Sequence, residues 1–316
     1  MICLAIDQGG TKTCVLVCDE KGNVLGTGHA IGACWSVSGA DAAMTSCEDA
    51  LRQAGYGWSD IDCLCAALTG ADWPDEYGAI RDRLYEQTGI SRRSMEVIND
   101  CVAAYYAGSD RDTGVCVCAG TGINACLVRP RQEAKCLGYA ISVPHLGREG
   151  LRAAIDTYAG FYEDSVLVPL ALAHFGALSM EALIMALSRG AYKSAKIKAF
   201  APAVTGAART DEVARNVCQA FSVRAARYAY GMLRQSGLAA QQVDAVVSGG
   251  VFKEKSGYLY RVFQGELNRL APKAHIVNAM YEPVMGAMRQ LIKVDAWENL
   301  KAQAPTYGLC RNGGTL

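Results

Sequence analysis

One stretch near the start of the chain, Asp7-Gln8-Gly9-Gly10-Thr11-Lys12-Thr13, constrains the protein more than any other. It lies between two apolar runs, Ile2–Ile6 and Cys14–Cys18, each with the length and residue types of a strand. An acidic residue at a strand end, followed by two glycines and two hydroxyls, suits a phosphate held beside a magnesium ion. Glycines let backbone N–H groups turn toward an anion, and the carboxylate faces the hydrated cation. A plain hairpin could use Gly9-Gly10 but would have no need of Asp7, Thr11 and Thr13. Gly9, Gly10, Thr11, Lys12 and Thr13 are therefore candidate phosphate ligands, and Asp7 is the candidate metal ligand.

The chain has 316 residues, 51% of them hydrophobic, enough to fill two cores. Lys plus Arg and Asp plus Glu balance at 31 each, and no basic cluster is interleaved with aromatics. Nucleic acid and anionic membranes are not expected partners. The most apolar stretch, Val166–Ala173, is too short to span a bilayer and contains Pro169. The first residues lack the basic region and long apolar core of a signal peptide, so a cytoplasmic location is expected. Fourteen cysteines are present, none in a Cys-x-x-Cys spacing. Cys63/Cys65 and Cys116/Cys118 each point to one face of a strand. Small buried hydrophobes in a reducing compartment are the expected role; a metal or iron–sulfur site is the less favoured alternative, because the usual ligand spacing is missing.

Further strands are expected at Val24–Ala30, Ile61–Leu68 and Met95–Ile98, with helices over Ala40–Ala54 and Glu76–Gln87 and a hairpin turn at Gly22-Asn23. The theme then restarts with strands Gly114–Cys118, Gly122–Val128 and Ala134–Ala140. A long helical region follows from Leu151 to Gln235, with breaks at Gly176, Gly190, Pro202 and Gly206. Strands Val243–Val247 and Ala274–Val277 alternate with helices Gly257–Leu270 and Pro283–Lys293, and the tail after Pro305 is expected to fray. This duplicated plan predicts an α/β protein of two related domains around a cleft, residues 1–110 and 111–316. The second domain carries a helical insertion over about 151–240, and the last helix packs back on the first domain.

Four more motifs carry chemistry. Ala119-Gly120-Thr121-Gly122 repeats the first turn's chemistry at the equivalent place in the second half. Asn99-Asp100 follows an apolar strand and opens a helix of small residues. Asn99 suits an N-cap, and Asp100, at a strand's C-terminal end, suits a general base that takes a proton from a hydroxyl attacking the γ-phosphorus. Ser248-Gly249-Gly250 follows a late strand and allows close approach of a ribose or flat ring. Pro283-Val284-Met285-Gly286-Ala287 starts a helix that can pack closely against a neighbour.

In this order, the five motifs resemble those of the actin–hexokinase–heat-shock ATPase superfamily, and more narrowly the BadF/BadG/BcrA/BcrD ATPase family, which includes N-acetylglucosamine kinases. Ala67-Leu68-Thr69-Gly70-Ala71-Asp72-Trp73-Pro74 and Val97-Ile98-Asn99-Asp100-Cys101-Val102-Ala103-Ala104 extend the likeness. The resemblance implies two ribonuclease-H-like domains with ATP and Mg²⁺ in the cleft. It implies phosphate contacts from Gly9–Thr11 and from Gly120, Thr121 and Gly122, adenosine contact near Gly249 and Gly250, and Asp100 as base toward a sugar hydroxyl. Thr69, Gly70, Asn99, Asn124, Arg148 and Glu149 fall on its substrate side. Dimers are common in the family, so a homodimer is one expectation. The sugar-side motifs depart from the family. The loop 32–39 lacks an Asn before its Gly, the family's Gly-Asp-Glu-Gly is Gly147-Arg148-Glu149-Gly150, and Ile123 stands where a Ser follows Gly-Thr-Gly. These changes point to a kinase for a modified, anionic amino sugar or related polyol, with Arg148 pairing a substrate carboxylate or phosphate. The alternatives are an ATPase activator of a radical dehydratase and a nucleotide-dependent sensor; no DNA-binding segment before Met1 is expected to make it a repressor.

Overall fold

The computed structural model describes residues 1–120, 123–130, 135–136, 145–254 and 256–311. Strands β1 (Ile2–Gln8), β2 (Lys12–Asp19) and β3 (Val24–Ile31) form an antiparallel meander. Strand β4 (Cys63–Leu68) adds to β1 in parallel, and β5 (Met95–Asn99) adds to β4 in parallel, giving the order β3-β2-β1-β4-β5. The second sheet is built from β6 (Gly114–Ala119), β7 (Ile123–Val128), β8 (Lys135–Cys136), β9 (Asp244–Ser248) and β10 (His275–Asn278). Its order is β10-β9-β6-β7-β8, which is the first sheet's order read from the other end. In each sheet a hairpin-joined first strand is flanked by a late parallel strand, so the β1–β2 and β6–β7 turns hold equivalent places.

Helices α1 (Trp35–Ser38) and α2 (Ala40–Gln53) connect β3 to β4; α3 (Pro74–Thr88) connects β4 to β5; α4 (Asp100–Tyr106) leaves β5. Six helices separate β8 from β9: α5 (Leu146–Tyr158), α6 (Leu167–Phe175), α7 (Met180–Ser188), α8 (Ser194–Lys198), α9 (Ala201–Ala207) and α10 (Glu212–Gln235). Helix α11 (Tyr258–Leu270) precedes β10, and α12 (Pro283–Met288) and α13 (Val294–Gln303) follow it.

The composition of β1 explains how these layers assemble. Leu4 and Ile6 join Met44, Leu51 and Ile80 on one face, whereas Cys3 and Ala5 join Val284, Met285, Trp297 and Leu300 on the other. Large side chains fill the space under α2 and α3, and small ones let α12 and α13 lie close, as a densely filled interior requires. The C-terminal helices thus return to the first sheet. One very close joint is between helices: a Cβ on Gly286 of α12 would fall 1.9 Å from the Ala103 carbonyl oxygen of α4.

Several expectations need correction. Gly206 lies inside α9 rather than breaking it, and Pro202 sits in that helix's first turn, where a missing N–H costs nothing. The helix beginning at Pro283 stops at Met288, and α13 is a separate element. The tail does not fray before residue 312. The Glu282 N–H donates to Leu309 O (2.8 Å), the Arg311 N–H donates to Met280 O (2.8 Å), and Tyr281 bridges Cys310. Of the expected strand Ala134–Ala140, only Lys135–Cys136 lies within the described residues. Among the described residues no single helix is long and apolar enough to cross a membrane; the bent pair α6–α7 approaches that composition, but Leu167, Ala171, Phe175, Met180 and Leu183 face the core.

The α4–α12 joint yields a prediction. Gly286→Ala should cost about 2 kcal/mol in urea unfolding, because its methyl meets backbone rather than a movable side chain. Gly231→Ala, inside α10 with open space around it, should be neutral or stabilising by up to about 1 kcal/mol.

Candidate active site

The β1–β2 turn is closed by the Gly9 N–H donating to Lys12 O at 2.9 Å. Gly10, Thr11 and Lys12 are exposed at its tip, and Gly32 lies directly behind it, where a Cβ would come within 2.3 Å of the Thr11 nitrogen. Thr13 differs from the rest of the motif: it is buried, and its hydroxyl donates to Ile31 O (2.9 Å) within the sheet. Asp7 is 7% exposed at the end of β1. Burial pushes its carboxyl up to about 7, helped by Glu282 and opposed by Lys12 and Arg311.

The second wall is formed at the ends of β6 and β9. Gly249 has φ +104°, and a Cβ there would sit 2.1 Å from the Ala119 carbonyl oxygen, so only glycine lets the two loops touch. Gly120 and Gly250 are exposed beside this joint; Thr121 and Gly122 lie outside the described residues. Gly250 opens a single turn ending at Lys253, whose Nζ meets Glu282 Oε1 at 3.0 Å. Lys12 Nζ meets the other oxygen of the same carboxylate at 3.1 Å. Burial pushes Glu282 up, but the two ammonium groups outweigh it and hold the carboxyl low. Arg311 donates from Nη1 to Ser248 Oγ (2.7 Å). Glu282, Lys253 and Arg311 were not expected at the site; the only hint was Glu282's place immediately before the Pro283 motif.

Between the walls stands Asp100, the first residue of α4. Its carboxyl is raised well above the ordinary range, foremost by burial, then by the neighbouring Cys101, Asp7 and Asp72. Among the described residues its buried Oδ1 has no hydrogen-bond partner, and neither has buried Oδ1 of Asn124. Asn99 is fully enclosed. It caps α4 by accepting from the Cys101 N–H (2.9 Å) and donates to Ala71 O (3.0 Å) and Asp72 Oδ1 (2.8 Å). Asn124 Nδ2 donates to Asn99 Oδ1 at 3.4 Å. Asp72, named in the sequence only as part of a longer match, therefore belongs to this cluster.

The remaining substrate-side candidates are Thr69 and Gly70, just after β4, and Arg148 and Glu149, on α5. Thr69 donates its N–H to Gln8 O (2.9 Å) and accepts from Trp35 N (3.3 Å). Gly70, at φ +87°, leaves room for the 34–36 loop, since a Cβ would lie 2.6 Å from Ser36 Oγ. Arg148 is exposed on the first turn of α5, and Gly147 lets that turn press on α8, with a Cβ position 2.5 Å from Lys198 O. Lys198 is held below its ordinary range by burial and then by the Arg148 charge, while Cys34 pulls the other way. Two cations thus share the space beside the 32–39 loop. Glu149 reaches only its helix neighbour Arg152, at 3.8 Å.

Chemically, the arrangement offers an open glycine turn with a lysine, a buried carboxylate beside it, and a second buried carboxylate with an unmet acceptor oxygen. The model of the BadF/BadG/BcrA/BcrD ATPase family matches residues 4–289. A search of curated proteins returns no sequence match. Among solved structures, the chain is similar to a candidate N-acetylglucosamine kinase from Chromobacterium violaceum (19% identity, 92% of this chain and 98% of that one, TM-score 0.67). It is also similar to one from Porphyromonas gingivalis (18%, 91% and 97%, 0.66). A glucokinase of the ROK family from Streptomyces griseus, in complex with glucose and AMPPNP, gives 18%, 92% and 99%, and 0.57. At these identities the likeness carries the fold alone: two mixed sheets with flanking helices.

Burying Asp7 has a measurable cost. Its folded carboxyl, at about 7, binds a proton that the unfolded chain, near 3.9, has released. The native state therefore holds more protons between those values, and stability present below about pH 4 is lost as pH rises toward 7. The loss from this group is at most about 4 kcal/mol. In metal-free protein, Asp7→Asn should flatten the decline in urea-unfolding free energy between pH 5 and pH 8 and raise stability at pH 8.

Proposed function

The chain belongs to the BadF/BadG/BcrA/BcrD ATPase family, and from that premise we propose that it is an ATP-dependent sugar kinase. The observation that carries the reading is the buried Oδ1 of Asp100, unpartnered among the described residues, whose carboxyl interacts electrostatically with Asp7; buried Oδ1 of Asn124 is likewise unpartnered there. Two enclosed acceptors without a donor are suited to a ligand that brings hydroxyls. The ATPase family supplies the phosphoryl donor.

In this reading Asp100 takes the proton of a sugar hydroxyl. The freed oxygen attacks the γ-phosphorus, and the bond from that phosphorus to the ADP oxygen breaks. Gly9, Gly10, Thr11 and Lys12 hold phosphate from one wall and the 119–122 turn from the other, with the adenosine near Gly249 and Gly250. Lys12 and Lys253 are kept in place by Glu282 until phosphate competes for them. Asp7 fits a magnesium ion: a buried hard oxygen whose carboxyl burial pushes high despite the Lys12 and Arg311 charges. When bound, the ion would neutralise phosphate charge. We assign residues 1–110 and 111–316 to two domains that close to exclude water, so that the hydroxyl rather than water accepts the phosphoryl group. A cytoplasmic location fits a consumer of ATP.

For the acceptor we propose an amino sugar bearing an anionic group, with Arg148 and Lys198 as its two cations. Support comes from their shared space beside the 32–39 loop, where burial and then the Arg148 charge disfavour the charge of Lys198 until an anion arrives.

These roles set three expected outcomes. Asp100→Asn should lower kcat by about 10²- to 10⁴-fold without weakening nucleotide binding in a thermal-shift assay. In the wild type, kcat/KM should rise with pH as the elevated carboxyl of Asp100 loses its proton, because only the anion can act as base. Across a panel of neutral and acidic sugars, Arg148→Ala and Lys198→Ala should each cut kcat/KM for acidic acceptors by about 10- to 100-fold and spare neutral ones. Equal losses on both classes would remove the anionic-acceptor assignment.

A further inference from the structure

Three thiols converge immediately beyond Asp100, with a fourth on the neighbouring strand. Cys101 is the second residue of α4, Cys116 and Cys118 lie two apart on one face of β6, and Cys126 sits directly opposite Cys116 on β7. The sulfurs of Cys101, Cys116 and Cys118 all lie within 4.8 Å of one another, and Cys116 Sγ to Cys118 Sγ is 3.8 Å. A zinc–thiolate bond of about 2.3 Å in tetrahedral geometry sets the sulfur–sulfur edge at about 3.8 Å. The spacing is therefore that of ligands around one ion, and too tight for thiolates spread around several irons and their sulfides.

The surroundings agree. Cys101, Cys116 and Cys126 are fully buried, while Cys118 is partly exposed and offers an entry path. The Cys101 thiol otherwise makes only long contacts, 3.6 Å to Cys116 O and 3.9 Å to Asn124 O. The ligands are soft, favouring zinc over the hard magnesium ion suited to Asp7. In sequence the cysteines occupy three elements, which is why no ligand motif is visible along the chain.

We propose that Cys101, Cys116 and Cys118 bind a single zinc-class ion as three protein ligands. Each ligating thiol gives up its proton as its metal–sulfur bond forms, and no atom changes oxidation state. The ion ties the first turn of α4, which carries Asp100, to strand β6. This assignment stands on the thiol geometry alone and does not depend on the kinase reading.

The test uses the full chain, reduced, stripped with a chelator and titrated anaerobically with Co²⁺. One equivalent should bind with the intense thiolate-to-cobalt charge-transfer absorption and visible bands of a tetrahedral site, and Zn²⁺ should displace it. Cys116→Ser/Cys118→Ser should lose the signal, whereas Cys18→Ser, altering a buried thiol of the first sheet, should keep it. Absence of stoichiometric uptake, a spectrum without charge transfer, or a signal unchanged in the double variant would overturn the proposal. Should the double variant fail to fold, the wild-type stoichiometry and spectrum decide alone.

Discussion

Two carboxylates buried within electrostatic reach of each other, Asp7 and Asp100, set the terms for the rest of the molecule. Each would be better solvated in water, and the interaction between them opposes ionising both. Such a pair persists only if the surrounding scaffold holds both backbones fixed. Asp7 ends the central strand of a five-stranded sheet, and Asp100 starts a helix capped by the enclosed side chain of Asn99. The strain is electrostatic and local, and it is relieved by whatever cation or hydrogen-bond donor enters the space between them. A site that is costly when empty is a site prepared for a ligand.

The scaffold reaches this precision through backbone-to-backbone contact. Gly32 against the β1–β2 turn, Gly249 against Ala119, and Gly286 against Ala103 are three places where a single methyl group would drive elements apart. They respectively back the first turn, join the β6 and β9 ends, and set the α4–α12 joint between the two sheets. Glu282 adds a charged link, since one carboxylate holds a lysine from the first-sheet turn and another from beyond β9. These interactions position main chain, which is what phosphate recognition by N–H groups demands.

Much of this was legible along the chain. The apolar run Ile2–Ile6 announces a strand, whose Leu4/Ile6 and Cys3/Ala5 faces the structure packs against different layers. The repeated strand plan announced two sheets, and they share one strand order. Turn glycines were visible because positive φ and close approach leave few alternatives. Other features were not legible. Gly206 reads as a breaker, but an exposed glycine in a helix costs only about 1 kcal/mol, which neighbouring turns offset. The tail past Pro305 reads as loose, yet Arg311 is held by Ser248, 63 residues away, and Leu309 by the Glu282 N–H.

The sequence by itself determined the local elements: strand alternation, the glycine turns, the cap at Asn99, and the order of acidic and phosphate-binding motifs. These follow from periodicity and dihedral preference within a few residues. Only the tertiary structure decided which distant groups meet. It turned Thr13 into the sheet, brought Arg148 beside Lys198, joined Lys12 and Lys253 on Glu282, and gathered thiols from α4 and β6. Those encounters depend on the packing of one sheet's helices against the other. The geometry that fixes them is set by side-chain volumes across the interface rather than by spacing along the chain.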